Sequence, residues 1–236
     1  MKTTRRATAA LIAATATLAL TAPADADHTV TQPRKTTTNY GSGTWTGPIG
    51  SPTQTGNIHT AAVALYGDSI SNRCTPDIRT ALAAEGKTLY TFTWPSQNIA
   101  GLTDAMTTAI RQPPDVIMAA GTNDAFNPFA APAAIARAKA FLNQTDSELY
   151  WVDTYVGRPA YLADDVRNSG QVNAAITAAI APDHVIGWLP ALTAARGRGR
   201  PSSYYLQDGV HPWISAGTNH GDGCAFLAAI IAGALP

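Results

Sequence analysis

The sequence is poor in charge and in metal-binding motifs, and each shortage narrows the range of functions. Only 14% of the residues are charged, and Lys plus Arg equals Asp plus Glu. Because there is also no basic stripe interleaved with aromatic residues, a nucleic-acid partner is not expected. The five histidines show no ligand spacing, and no His-Glu-x-x-His or paired-cysteine motif occurs. We therefore expect neither a metal nor an organic cofactor.

Long apolar segments are also scarce, and the one that occurs is typical of an export signal. Basic residues precede an Ala/Leu-rich run over 7–22, and an Ala-Asp-Ala cleavage pattern follows at 24–26. The run is shorter than the roughly 20 residues that cross a bilayer, which favours cleavage over an uncleaved anchor. We expect residues 1–26 to be a signal peptide, and a mature chain from Asp27 that has no transmembrane segment and is secreted or held in the cell envelope.

Cysteine is almost absent, with Cys74 and Cys224 as its two occurrences. An exported protein meets oxidising conditions, which favours one disulfide between them over two buried free thiols. The bridge would enclose about 150 residues and, on the chain-entropy model, would stabilise the fold by about 5 kcal/mol.

The rest of the chain predicts one domain of the α/β class. Residues 27–60 are rich in Thr, Gly, Pro and Ser and predict a linker or a wrapping segment. From 61 to 236, short apolar runs alternate with helix-like runs, which predicts a parallel sheet with helices on both faces. The predicted strands are 61–66, 88–92, 116–120, 149–156 and 185–189, and the predicted helices are 76–85, 101–111, 130–142, 166–180 and 225–234.

Three short segments carry the residue types that hydrolyse esters. They are Gly-Asp-Ser-Ile-Ser at 67–71, Gly-Thr-Asn-Asp at 121–124 and Asp-Gly-Val-His-Pro at 208–212. The first two follow predicted strands, and in parallel sheets the site lies at the carboxyl ends of the strands. The third lies in an irregular loop that can fold back over the same edge.

These segments predict a nucleophile, a base and an oxyanion hole. A serine hydroxyl is a weak nucleophile until a base takes its proton, and His211 is the one histidine with a carboxylate three residues upstream in a turn shaped by glycine and proline. We predict Ser69 as the nucleophile, His211 as the base and Asp208 as the group that orients the imidazole. The predicted oxyanion donors are the Ser69 N–H, the Gly101 N–H and the Asn123 side-chain amide.

This set resembles the GDSL-type, or SGNH, hydrolase family of esterases and lipases. The letters S, G, N and H of the family name match Ser69, Gly101, Asn123 and His211. The tetrapeptide Gly-Asp-Ser-Ile at 67–70 differs from the family's GDSL only in having Ile in place of Leu. The resemblance covers the whole predicted catalytic domain. It implies a three-layer, flavodoxin-like fold with a five-stranded parallel sheet.

Two features depart from the family pattern. A loop over 213–223 separates the histidine segment from the last predicted helix, where the family has only a few residues. Near Gly101, the stretch 95–98 offers other oxyanion donors, so the glycine has a competitor for that role.

Together, the motifs, the resemblance and the export signal imply a monomeric, secreted serine esterase or lipase that works through an acyl-enzyme. Its expected substrates are small-molecule, polysaccharide or lipid esters. Two alternatives stay open: an acyltransferase that uses the same residues, and a non-catalytic module that binds carbohydrate or lipid.

Overall fold

The computed structural model describes residues 50–109 and 111–236, together with two short strands that pair antiparallel, β1 (Thr38–Tyr40) and β2 (Gly43–Trp45). The predicted signal peptide and half of the predicted linker lie outside the described residues. Within the described ranges, no helix is both long enough and apolar enough to span a bilayer.

The main sheet contains the five parallel strands that the sequence predicts, together with one antiparallel edge strand. The edge strand comes from the predicted linker, and its three residues are exposed. Such a segment gives no alternation of buried and exposed positions, which is why the sequence does not reveal it. The strands are β3 (Thr53–Thr55), β4 (Val63–Gly67), β5 (Leu89–Thr93), β6 (Asp115–Ala119), β7 (Glu148–Val152) and β8 (Val185–Ile186). Across the sheet they lie in the order β3-β5-β4-β6-β7-β8, with β3 as the antiparallel edge strand.

Both faces of the sheet are covered, so β4 and β5 are buried along their whole length. In β4, for example, Val63 and Leu65 pack into one apolar layer, whereas Ala64 and Tyr66 pack into the layer on the opposite face. Helices α1 (Ser69–Ala84), α5 (Trp188–Gly197) and α7 (Gly223–Ala234) contribute to the first layer, and α2 (Ile99–Thr108), α3 (Ala131–Leu142) and α4 (Leu162–Ala179) contribute to the second.

Shorter helical turns occupy the connections. They are α6 (Ser202–Tyr205) and the 3₁₀ turns Asp124–Phe126, Pro128–Ala130, Pro159–Tyr161 and Pro182–His184.

Several predicted boundaries are wrong: the strand predicted over 149–156 ends at Val152, and the helix predicted over 166–180 begins at Leu162. Two more are wrong because polar side chains start helices earlier than the apolar pattern suggests. Helix α1 begins at Ser69 rather than at residue 76, since the Asp68 side chain caps it by accepting a hydrogen bond from the Ile70 N–H at 2.9 Å. The predicted strand 185–189 ends at Ile186. Asp153 then accepts a hydrogen bond from the Leu189 N–H at 2.7 Å, which helps to start α5.

Candidate active site

The nucleophile candidate stands at the junction of β4 and α1. β4 ends at Gly67, Asp68 is the N-cap, and Ser69 is the first residue of α1. The N–H groups in the first turn of a helix have no partner within that helix, so they can bind a negative charge. Ser69 therefore carries its hydroxyl at the carboxyl edge of the sheet, with the positive end of α1 directly behind it.

The three residues predicted as a triad are in hydrogen-bond contact. Ser69 Oγ lies 2.9 Å from His211 Nε2, and His211 Nδ1 lies 2.8 Å from Asp208 Oδ2. An imidazole placed in this way can take the serine proton on one nitrogen while its other N–H donates to the carboxylate. The arrangement has the geometry of an activated serine nucleophile.

The turn around His211 is built by Asp208. The second oxygen of its carboxylate accepts the backbone N–H groups of Val210 at 2.9 Å and His211 at 2.7 Å. Gly209 has φ +83°, and a Cβ there would lie 2.2 Å from the Gly157 carbonyl oxygen, so a side chain does not fit at this position. One carboxylate therefore both shapes the turn and orients the imidazole.

Two adjacent residues of α1 connect the nucleophile helix to the base loop and to the start of α7. Arg73 Nη1 donates to Gln207 Oε1 at 2.8 Å and to the Pro212 carbonyl at 3.1 Å. Cys74 forms the predicted disulfide with Cys224, with the Cα atoms 4.9 Å apart. The disulfide prediction is confirmed, whereas no sequence motif marks Arg73 for its role.

The 213–223 loop folds back onto the same region. The Trp213 carbonyl accepts the N–H groups of Gly223 at 3.0 Å and Cys224 at 2.9 Å. The Trp213 ring stacks on the His220 ring, with centroids 4.0 Å apart. The loop thus joins the base turn to the start of α7.

Asn123 lies where the sequence predicts an oxyanion donor. It follows β6, immediately before the 3₁₀ turn 124–126. Its Nδ2 donates one hydrogen bond to the Gln97 carbonyl at 2.9 Å. A carboxamide nitrogen carries two hydrogens, so one remains for a substrate oxygen.

The Gly101 N–H, predicted as an oxyanion donor, is bonded within its own helix. Gly101 is the third residue of α2, and its N–H donates to the capping side chain of Asn98 at 2.9 Å. That amide is consequently already used to cap the helix. The lack of a side chain at Gly101 has another reason, because a Cβ there would lie 2.3 Å from the Gln97 carboxamide carbon.

Gln97, which belongs to the stretch 95–98 that the sequence offers as a competitor of Gly101, is the residue whose carbonyl accepts from Asn123. The Gln97 N–H bonds to the Trp94 carbonyl at 3.1 Å, closing a turn with Pro95 second and Ser96 third. Ser96 has φ +64°, an unusual value for a residue with a side chain. Proline at the second position was the available signal for such a turn.

The carboxyl groups of the site differ in their proton affinity. Burial raises the pKa of Asp68 to about 6 against the opposing effect of the hydrogen bond from Ile70. Burial also raises the pKa of Asp124 to about 7, while its carboxylate accepts the Ile99 N–H at 2.9 Å and so braces the start of α2.

Asp208 is shifted in the opposite direction. Partial burial acts to raise its pKa. The hydrogen bonds and positive charge of His211, together with the hydrogen bond from the Val210 N–H, lower it by more. The pKa therefore lies below its ordinary value. The carboxylate next to the base therefore stays ionised.

Within the described part of the chain, no three His, Cys, Asp or Glu side chains lie close enough together to form a metal site. The absence of a cofactor stays a prediction from the sequence.

Solved structures show that the fold is that of GDSL-type hydrolases. A GDSL-like lipase from Bacteroides thetaiotaomicron is 17% identical with a TM-score of 0.56, over 73% of this chain and 86% of that one. An acetyl xylan esterase is 14% identical with a TM-score of 0.57, over 74% and 99%. The catalytic domain of a peptidoglycan O-acetyltransferase from Streptococcus pneumoniae is 17% identical with a TM-score of 0.51, over 74% and 89%. No family model matches the chain, and no curated protein matches it significantly.

Proposed function

We propose that this protein is a secreted serine esterase of the GDSL type that cleaves carboxylic esters through an acyl-enzyme. One observation carries the proposal: the continuous contact from Ser69 Oγ through the imidazole of His211 to Asp208, at 2.9 and 2.8 Å. The shared fold and the order of the three motifs along the chain support it.

Each residue of the site has a distinct role in the proposed mechanism. His211 takes the proton of Ser69 as the hydroxyl attacks the ester carbonyl, and Asp208 stabilises the imidazolium that forms. The Ser69 N–H and the free amide hydrogen of Asn123 face the negative oxygen of the tetrahedral intermediate. His211 then gives its proton to the leaving alcohol, and a water activated by the same histidine releases the acid.

The exposure of the base favours hydrolysis over acyl transfer. The side chain of His211 is 31% exposed and that of Asp208 is 50% exposed. An acyltransferase must keep water away from its acyl-enzyme, and this side of the site is open to solvent. We therefore place the acyltransferase second, although one structural neighbour is an O-acetyltransferase.

The proposed location outside the cytoplasm depends on two independent features. The N-terminal segment has the composition of a signal peptide, and the disulfide joins residues 150 apart. Disulfides persist in oxidising compartments and are rare in the cytosol. Esters exposed there, on polysaccharides or on envelope lipids, are the substrates that we propose.

The proposal is tested by expressing the full coding sequence for export and assaying the purified protein on p-nitrophenyl esters from acetyl to palmitoyl. We expect turnover that Ser69→Ala lowers by roughly 10⁴- to 10⁶-fold, because the nucleophile is lost. The same series reports the acyl-length preference. No turnover and no labelling of folded protein by a fluorophosphonate would instead favour the non-catalytic binding module.

The transferase alternative is tested in the same reaction mixtures. Adding an alcohol acceptor such as a soluble oligosaccharide should leave free acid as the main product. Acylated acceptor as the main product would show that the protein is a transferase.

A further inference from the structure

A small cavity adjoins the turn that carries the nucleophile. Its volume is about 20 Å³, and its lining includes Asp68 and Ser71 on either side of Ser69. Trp188, the first residue of α5, forms part of the same wall, and Val152 and Leu227 supply apolar surface. The cavity thus lies where the starts of α1 and α5 approach each other at the carboxyl edge of the sheet.

Three polar atoms on this wall have no hydrogen-bond partner among the described residues. They are Asp68 Oδ2, Ser71 Oγ and Trp188 Nε1, on residues that are 1%, 1% and 2% exposed. The Thr122 hydroxyl also lines the cavity. It pairs with Thr154 Oγ1 at 3.1 Å and also interacts with the Asp68 carboxylate, whose pKa it lowers. Buried polar groups in native proteins are nearly always satisfied, so three in one cavity indicate a ligand.

The chemistry of the three atoms selects the class of ligand. Trp188 Nε1 can only donate, an ionised Asp68 Oδ2 can only accept, and the Ser71 hydroxyl can do either. A bare cation cannot accept from the indole, and an anion would be repelled by the carboxylate. A neutral molecule that both donates and accepts satisfies all three.

The cavity is large enough to hold a water molecule. A cavity needs about 10–15 Å³ to hold a water, and a buried water usually makes two to four hydrogen bonds. The observed volume of about 20 Å³ meets that requirement, and water is the smallest neutral molecule that both donates and accepts.

We propose that an ordered water molecule occupies this cavity, accepting a hydrogen bond from Trp188 Nε1, donating one to Asp68 Oδ2 and bonding to Ser71 Oγ. The water links the first turn of α1 to the first residue of α5. It completes the hydrogen bonding of Asp68, whose other oxygen caps α1 at the nucleophile. This inference concerns the folded structure and does not depend on the proposed esterase activity.

A crystal structure of the full-length exported protein at about 1.5 Å resolution tests the site directly. We expect a density peak about 2.7–3.2 Å from each of the three atoms. Three findings would each overturn the proposal: a cavity without ordered density, side chains that satisfy one another directly, or a peak about 2.4 Å from the carboxylate, which would indicate a metal ion.

Solution NMR provides a matched internal control. Trp151 is as deeply buried as Trp188, but its indole N–H donates directly to the Ala120 carbonyl at 3.0 Å. In ¹⁵N-labelled protein, with the two signals assigned from Trp188→Phe and Trp151→Phe, we expect a cross-relaxation peak to water from Trp188 and none from Trp151. Absence of the peak at both indoles would contradict the proposal.

Discussion

The nucleophile side and the base side of the site shift the pKa values of their carboxyl groups in opposite directions. Near Ser69, Asp68 and Asp124 are buried, and their pKa values are raised to about 6 and about 7. Next to His211, Asp208 is half exposed and its pKa is lowered. The buried carboxyls brace helix starts, a task for which full ionisation is not required. The exposed one must stay charged beside an imidazole, and its hydrogen bonds keep it so.

The largest effect is expected where the two sides meet. His211→Ala should lower kcat by roughly 10⁴- to 10⁶-fold on a p-nitrophenyl ester, and adding Ser69→Ala should cost little more, because the two residues act as one unit. His220→Ala is the matched control, since that histidine stacks on Trp213 in the neighbouring loop and bonds to neither triad partner. Equal losses in the two histidine variants would contradict the assignment of the base.

A smaller loss is expected from the nucleophile side. Asn123→Ala should lower kcat by roughly 10²- to 10³-fold with little change in KM, because its amide acts on the oxyanion. Asn127→Ala, at an exposed position in the same loop, should leave kcat within about twofold. A loss confined to KM in Asn123→Ala would mean that Asn123 binds the substrate rather than the transition state.

The disulfide should affect stability more than chemistry. Replacing Cys74 and Cys224 by serine should lower the free energy of unfolding in urea by about 2–5 kcal/mol. At a temperature where the variant remains folded, we expect kcat to fall by less than about tenfold, because Arg73 still bonds to Gln207 and the Pro212 carbonyl. A loss above a hundredfold in folded protein would show that the bridge itself positions the base.

The last expected effect, which touches stability and not chemistry, is a pH dependence that arises on the buried side. Burial raises the pKa values of Asp68, Asp124 and Asp153 from 3.8 to about 6, 7 and 6. At pH values between the ordinary pKa and the raised pKa, the folded state binds more protons than the unfolded state. These groups therefore make the free energy of unfolding fall as pH rises from about 4 to 7.

Urea midpoints measured across that range test the sign. We expect Asp153→Asn to make the pH dependence shallower, since the amide keeps an acceptor for the Leu189 N–H but does not titrate in this range. An unchanged slope would mean that Asp153 is not protonated in the folded state near pH 5. The lowered pKa of Asp208 has the opposite effect, over a lower pH range: it makes the free energy of unfolding fall as the pH is lowered.

The same contrast explains how far the sequence could predict the molecule. The parallel strands and the positions of Ser69 and Asn123 follow from local patterns, namely apolar runs that end in short polar motifs. The contact of Gln97 with Asn123 and the capping bond that occupies the Gly101 N–H depend on where α2 starts, which Asn98 and Asp124 determine. Arg73 reaches across 134 residues to Gln207, a contact that no local pattern encodes.

The most direct test of the central claim is to label the folded protein with a fluorophosphonate and locate the adduct by peptide mass spectrometry. The account predicts one adduct, on Ser69, that is lost in His211→Ala and after unfolding in urea. Absence of any adduct from folded, disulfide-bonded protein, or an adduct on a different serine, would contradict it.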